Sequence, residues 1–149
     1  MHYDFNKAVS GNSSQNLLSN DILSYKRILA VDDSVTTRTM VKNILLNSGY
    51  TADIVSNVEE ALVKLKLNHY DLIITDLNMP KVDGYEFVQR LKNDEMFADI
   101  PVIVMSSQPE KEASEKLQGM KIDYYMSKDN FNQAEFSRQI KNILTKYHV

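Results

Sequence analysis

Five short apolar runs, each followed by a segment with helical spacing, divide the sequence from Arg27 onward. The runs occupy residues 28–31, 51–55, 72–75, 101–105 and 122–126. Each is too short for a helix, and those at 28–31, 72–75 and 101–105 are too continuously apolar for a strand wetted on one face. The intervening segments place apolar residues on one helical face. Met40, Val41, Ile44 and Leu45 form the first such stripe, and Ala61, Leu62 and Leu65 the second. Phe87, Val88 and Leu91 form the third. Ala113, Leu117 and Met120 make a sparse fourth, and Phe136, Ile140, Ile143, Leu144 and Tyr147 the last. Buried strands alternating with amphipathic helices specify a parallel sheet covered on both faces. Right-handed crossovers make it a (βα)5 doubly wound α/β sandwich.

Local signals mark the boundaries. Gly49 sits where a helix ends in the left-handed region, and Gly119 does the same later. Ser56-Asn57-Val58-Glu59 reads as a capping box. Asp83-Gly84-Tyr85-Glu86 and Asn132-Gln133-Ala134-Glu135 read as helix starts. Pro109 suits a first turn, with that helix expected through about Gln118.

In a doubly wound sheet the site lies beyond the carboxyl ends of the strands. Asp32 and Asp33 follow the first run, Asp76 the third, Ser106 and Ser107 the fourth, and Ser127 and Lys128 the fifth. Nothing comparable follows the second, which suits an edge strand. An Asp after a strand often only caps the next helix. Three at one rim are another matter, because crowded carboxylates repel and hold protons unless a cation joins them. Mg²⁺ takes a few carboxylates, waters and phosphate oxygens, and this set supplies such a partial cage. Lys128 is placed to meet a phosphate as a point charge, and Ser106 to donate to one. Tyr125 lies near the same rim, where a rotamer change would be felt. His2, His69 and His148 are scattered away from it, so no His catalysis is expected.

Composition removes whole classes of function. Cysteine is absent, so disulfides, thiol catalysis and Cys-zinc sites are excluded. A net charge of −3 offers no basic surplus for nucleic acid. No apolar run approaches membrane length, and no signal pattern opens the chain. Neither Gly-rich nucleotide cradle occurs.

Five motifs, in order, resemble the receiver domain of two-component response regulators. They are Ile28-Leu29-Ala30-Val31-Asp32-Asp33-Ser34, the stretch from Asp71 through Asp76-Leu77-Asn78-Met79-Pro80, and Lys81-Val82-Asp83-Gly84-Tyr85-Glu86. Pro101-Val102-Ile103-Val104-Met105-Ser106 and Tyr125-Met126-Ser127-Lys128 complete the set. The resemblance implies a CheY-like strand order of 2-1-3-4-5. It implies that Asp76 accepts a phosphoryl group from a phosphohistidine on a partner histidine kinase. It further implies that Asp32 and Asp33 hold Mg²⁺, with Asp33, Asp76 and the backbone carbonyl of Asn78 as direct ligands. Lys128 would neutralise the phosphoryl oxygens and Ser106 would hydrogen-bond one. Movement of Ser106 and Tyr125 would reshape the face of the fourth helix, fifth strand and fifth helix, where a downstream protein binds. Such a module is a signalling protein rather than an enzyme, catalysing only its own phosphorylation and dephosphorylation.

Asp33-Ser34-Val35-Thr36-Thr37-Arg38 and Lys128-Asp129-Asn130-Phe131-Asn132-Gln133 resemble chemotaxis receivers, especially those at the C-terminus of hybrid chemotaxis kinases of the CheA type. Most receivers carry Pro after the lysine; Asp129 replaces it and removes a proline-specific turn. Residues 27–149 are therefore expected to form the receiver, in the cytoplasm, with no nucleic-acid or membrane partner. Residues 1–26 are expected to be a tail or linker, since four Ser and three Asn crowd positions 10–20. Leu17, Leu18, Ile22 and Leu23 are its apolar residues. Because the chain ends after the last helix, output is expected through a partner surface. Rival readings are a pseudo-receiver, a phosphate sink, and a haloacid-dehalogenase-like phosphatase, which would need Asp-x-Asp after its first strand.

Overall fold

The computed structural model describes residues 25–146. Their order is β1 (Arg27–Val31), α1 (Val35–Asn47), β2 (Thr51–Val55), α2 (Val58–Leu67), β3 (Leu72–Thr75), α3 (Gly84–Asn93), β4 (Val102–Ser106), α4 (Glu110–Lys116), β5 (Tyr124–Ser127) and α5 (Gln133–Lys146). The five strands form one parallel sheet in the order β2-β1-β3-β4-β5, as the resemblance implied. The apolar residues expected in the tail lie outside the described residues, as do Tyr147, His2 and His148. The Lys26 carbonyl accepts from the Thr51 N–H at 3.1 Å, which brings the chain against β2 just before β1 begins.

The pleat sorts each strand's side chains into two cores. Leu29, Val31, Ile73, Val102 and Val104 point to one face, where α2, α3 and α4 cover them. Ile28, Ala30, Leu72, Ile74, Ile103 and Met105 point to the other, beneath α1 and α5. The expected stripes supply both covers: Val41, Ile44 and Leu45 from α1, and Phe136, Ile140, Ile143 and Leu144 from α5 are buried. α4 contributes only Ala113, with Leu117 just beyond its end.

Helix ends follow the capping signals, with some shifts. Gly49 and Gly119 take positive φ at the ends of the α1 and α4 segments. Asp83 accepts from the Glu86 N–H at 2.9 Å, and Asn132 from the Glu135 N–H at 2.9 Å. The expected capping box at Ser56 moves by one residue. Asn57 is the cap, accepting from the Glu60 N–H at 2.8 Å, and Glu60 reaches back to Ser56. α4 starts at Glu110, one residue after Pro109, and stops at Lys116. The fifth strand begins at Tyr124 rather than residue 122, because Asp123 first docks on Val102. Its N–H donates to the Val102 carbonyl at 2.9 Å and its side chain accepts the Val102 N–H at 3.0 Å. The loop lacking a proline after Lys128 is anchored by Phe131, whose ring packs on Phe136 with centroids 5.3 Å apart.

Candidate functional site

Each rim residue is fixed by a ladder bond that extends its strand. The Asp32 N–H donates to the Val55 carbonyl, the Asp76 N–H to the Val31 carbonyl and the Lys128 N–H to the Ser106 carbonyl, at 3.1, 3.0 and 2.9 Å. Parallel register therefore brings Asp32, Asp76 and Lys128, far apart in sequence, to one end of the sheet. The Lys128 ammonium sits between two carboxylates, 2.7 Å from Asp32 Oδ2 and 3.1 Å from Asp76 Oδ2. One oxygen each of Asp32, Asp33 and Asp76 lies within 4.8 Å of the other two. Asp32 and Asp76 are buried, whereas Asp33 is exposed.

The remaining oxygens are held by backbone. Asp32 Oδ1 accepts from the Ser34 N–H at 2.8 Å, and Ser34 in turn caps α1 through the Thr37 N–H. Asp76 Oδ1 accepts from the Leu77 N–H at 2.7 Å. Burial, joined by the charge of Asp32, outweighs Lys128 and holds the Asp76 carboxyl above its ordinary range. Burial alone would lower Lys128. The hydrogen bonds and charges of Asp32 and Asp76 together exceed that effect and raise it. Lys128 pairs with two of the three clustered carboxylates, and Arg38 adds a second cation at the Asp32 backbone, so the negative charge of the cluster is only partly offset. The donors are hard oxygens and three carboxylates outnumber the cations beside them, so the set fits a divalent ion such as Mg²⁺.

Ser106 is fully buried at the end of β4, and its Oγ accepts from the Gln108 N–H at 3.1 Å. Tyr125 is half-buried and donates its hydroxyl to the Gln108 carbonyl. Burial pushes its phenol up. Asn78 is exposed at the rim, where its side-chain oxygen accepts from Gln108 Nε2 at 2.9 Å. Of the other strand-end residues, Ser107 is exposed and Ser127 pairs with Ser106 in the ladder. His69 lies at the opposite end of the sheet, 3.3 Å from Asp71.

Three contributors escaped the sequence reading. Arg38 donates to the Asp32 carbonyl at 2.8 Å, tying α1 to the acidic loop. In the sequence it stands only within the Asp33–Arg38 motif. Tyr85 donates its hydroxyl to Gln108 Oε1. Gly84 packs so tightly on the Asp76–Leu77 backbone that no β-carbon fits. The available signal was a glycine in a helix's first turn, where it costs propensity without a local reason.

The profile of the response regulator receiver domain matches residues 28–141. The chain belongs to that family. As a receiver it is a signalling module of the CheY-like type, a class that binds Mg²⁺ in an acidic pocket and works with histidine kinases. Among curated relatives, this receiver is 35% identical over 129 residues to chemotaxis protein CheV3 of Helicobacter pylori, covering 80% of this chain and 41% of that protein. The receiver domain of a signal transduction histidine kinase from Syntrophus aciditrophicus superposes with a TM-score of 0.75 at 30% identity, covering 82% of this chain and 92% of that one. The chemotaxis response regulator CheY4 of Vibrio cholerae gives 0.73 at 27%, covering 80% and 98%. The receiver spans less than two thirds of the length of the curated relatives it matches. No helix among the described residues is long and apolar enough to cross a membrane.

Proposed function

We propose that this receiver accepts a phosphoryl group from a kinase phosphohistidine onto Asp76. The placement of Lys128 between Asp32 and Asp76 carries this reading, because it sets a positive charge where phosphoryl oxygens would arrive. A carboxylate oxygen of Asp76 bonds to phosphorus as the P–N bond to the imidazole breaks. The electron pair leaves with the imidazole nitrogen, which takes up a proton, and an acyl phosphate remains. Phosphoryl transfer of this kind needs positioning and charge neutralisation more than covalent chemistry.

Asp32 and Asp33 would hold Mg²⁺, with Asp33, Asp76 and the Asn78 carbonyl as the residues that would ligate it directly. The ion supplies charge neutralisation at the phosphoryl oxygens. Lys128 gives its ammonium to those oxygens, and the Ser106 hydroxyl donates to one. Departure of Ser106 from Gln108 and reorientation of Tyr125 then bias a two-state surface of α4, β5 and α5, read by a downstream protein.

The setting we favour is chemotaxis signalling in the cytoplasm, with a kinase that is separate or fused and residues 1–26 as tail or linker. The Asp33–Arg38 motif supports it, as do the likenesses to CheV3 and CheY4. Incubation with acetyl phosphate, with and without Mg²⁺, followed by intact mass, tests the core of the reading. A Mg²⁺-dependent gain of one phosphoryl group that Asp76→Asn abolishes is expected. No gain, or a gain surviving in Asp76→Asn, overturns it.

A further inference from the structure

Four groups from four parts of the fold meet at Gln108. Its N–H donates to Ser106 Oγ on β4 at 3.1 Å, and its carbonyl accepts from the Tyr125 hydroxyl on β5. Its side-chain oxygen accepts from the Tyr85 hydroxyl on α3. Its side-chain amide donates to Asn78 Oδ1 in the β3–α3 loop at 2.9 Å. Tyr85 also reaches α4, because the Lys116 ammonium lies 5.1 Å from its ring centroid.

We propose that Gln108 carries the phosphorylation state of Asp76 to helix α3 through the Tyr85 hydroxyl. The inference rests on the phosphorelay reading. The Ser106 oxygen now accepts the Gln108 N–H, and a Ser106 that turns toward a phosphoryl group on Asp76 gives up that position. The N–H then loses its acceptor, and an unpaired backbone donor drives the loop to rearrange. Outside Gln108 itself the segment is lightly held: Ser107 and Pro109 are exposed, and the helix that follows has seven residues and no side-chain cap. All four bonds belong to one residue, so displacing Gln108 at Ser106 also displaces the acceptor of Tyr85.

The base of α3 cannot follow. Gly84 is held against the backbone of residues 76 and 77, and its N–H donates to the Leu77 carbonyl at 2.9 Å. The response at α3 is therefore reorientation of the half-buried Tyr85 ring, which alters the seam where Lys116 lies over it. This places a phosphorylation-sensitive patch between α3 and α4, apart from the α4–β5–α5 face.

Heteronuclear NMR of the full chain with ring-labelled tyrosine tests the proposal, with Tyr85 assigned through Tyr85→Phe. Acetyl phosphate and Mg²⁺ are the reagents, and intact mass on the same sample scores phosphorylation. In the wild type the Tyr85 ring signal moves by more than a linewidth on phosphorylation. In Gln108→Ala it stays still although mass shows Asp76 modified. Gln108→Glu keeps an acceptor for Tyr85 but loses the donor to Asn78, and the shift returns. A Tyr85 signal that is static in phosphorylated wild type, or that moves equally in Gln108→Ala, overturns the coupling. Absence of any mass gain in the wild type overturns the phosphorelay reading and the coupling with it, and is distinguished by that mass alone.

Discussion

A β-carbon on Gly84 would stand 2.0 Å from the carbonyl oxygen of Asp76. Helix α3 is thus seated directly on the backbone of Asp76, the proposed phosphoryl acceptor, and the glycine is required by that approach rather than by its own φ. Gly84→Ala must push apart α3 and the Asp76–Leu77 backbone. The expected cost is about 2 kcal/mol of stability from overpacking. Phosphoryl uptake should fall by about tenfold or more, because Asp76 is displaced. Urea denaturation and the rate of mass gain measure the two effects, and a variant with wild-type uptake would show that the approach does not position Asp76.

Asp76 itself is a cost to the metal-free fold. Burial and the charge of Asp32 raise its carboxyl above the ordinary range. A folded-state value above the unfolded one favours the fold fully below the unfolded value, and that benefit is lost as pH rises through the folded value. In EDTA at neutral pH, Asp76→Asn should therefore be more stable than wild type. The gap closes on acidification toward the ordinary carboxylate range. Added Mg²⁺ should favour the wild type, which alone keeps three carboxylates for the ion. Thermal melts across pH, with and without Mg²⁺, read both signs.

Tyr70 is buried and donates to Asp53 Oδ2 on β2 at 2.5 Å. Burial, then the hydrogen bond and charge of Asp53, push its phenol well above the usual range. Its contribution to stability is complete below the ordinary phenol value of about 10 and is lost as pH rises toward the folded value. Tyr70→Phe should cost about 1–2 kcal/mol at pH 8. It should also flatten the loss of stability above about pH 10. Parallel slopes for the two proteins in alkaline denaturation would contradict this.

Asn57 caps α2 through the Glu60 N–H. Asn57→Ala should cost about 1 kcal/mol, as cap removals typically do. The acidic cluster does not use this side chain, so the rate of phosphoryl uptake should be unchanged. A fall in that rate would mean that α2 helps to shape the rim.

The sheet was legible in the sequence because its period is simple. Residues 28–31 and 72–75 are apolar on both faces, and only a strand between two layers of helices needs that. The rim was legible for a related reason, since Asp32, Asp76 and Lys128 each follow a strand directly. The start of β5 was not, because Ile122 is packed against the core without joining the ladder, and apolar character cannot separate the two. The capping box slipped by one residue because Ser56 and Asn57 are both competent caps with a Glu three residues on. The tightness at Gly84 and the convergence on Gln108 depend on how closely separate loops approach. No residue pattern along one segment encodes such a distance.

The sheet also behaves as a wall between two compartments. α5 is pinned to its side by four buried residues, while the α4 segment hangs on Ala113 and Leu117. Local opening of α4 would therefore expose few buried side chains, all of them on one side of the sheet. The molecule can thus let one short helix detach and return while the rest of its architecture stays assembled, and amide exchange in α4 need not wait for global unfolding.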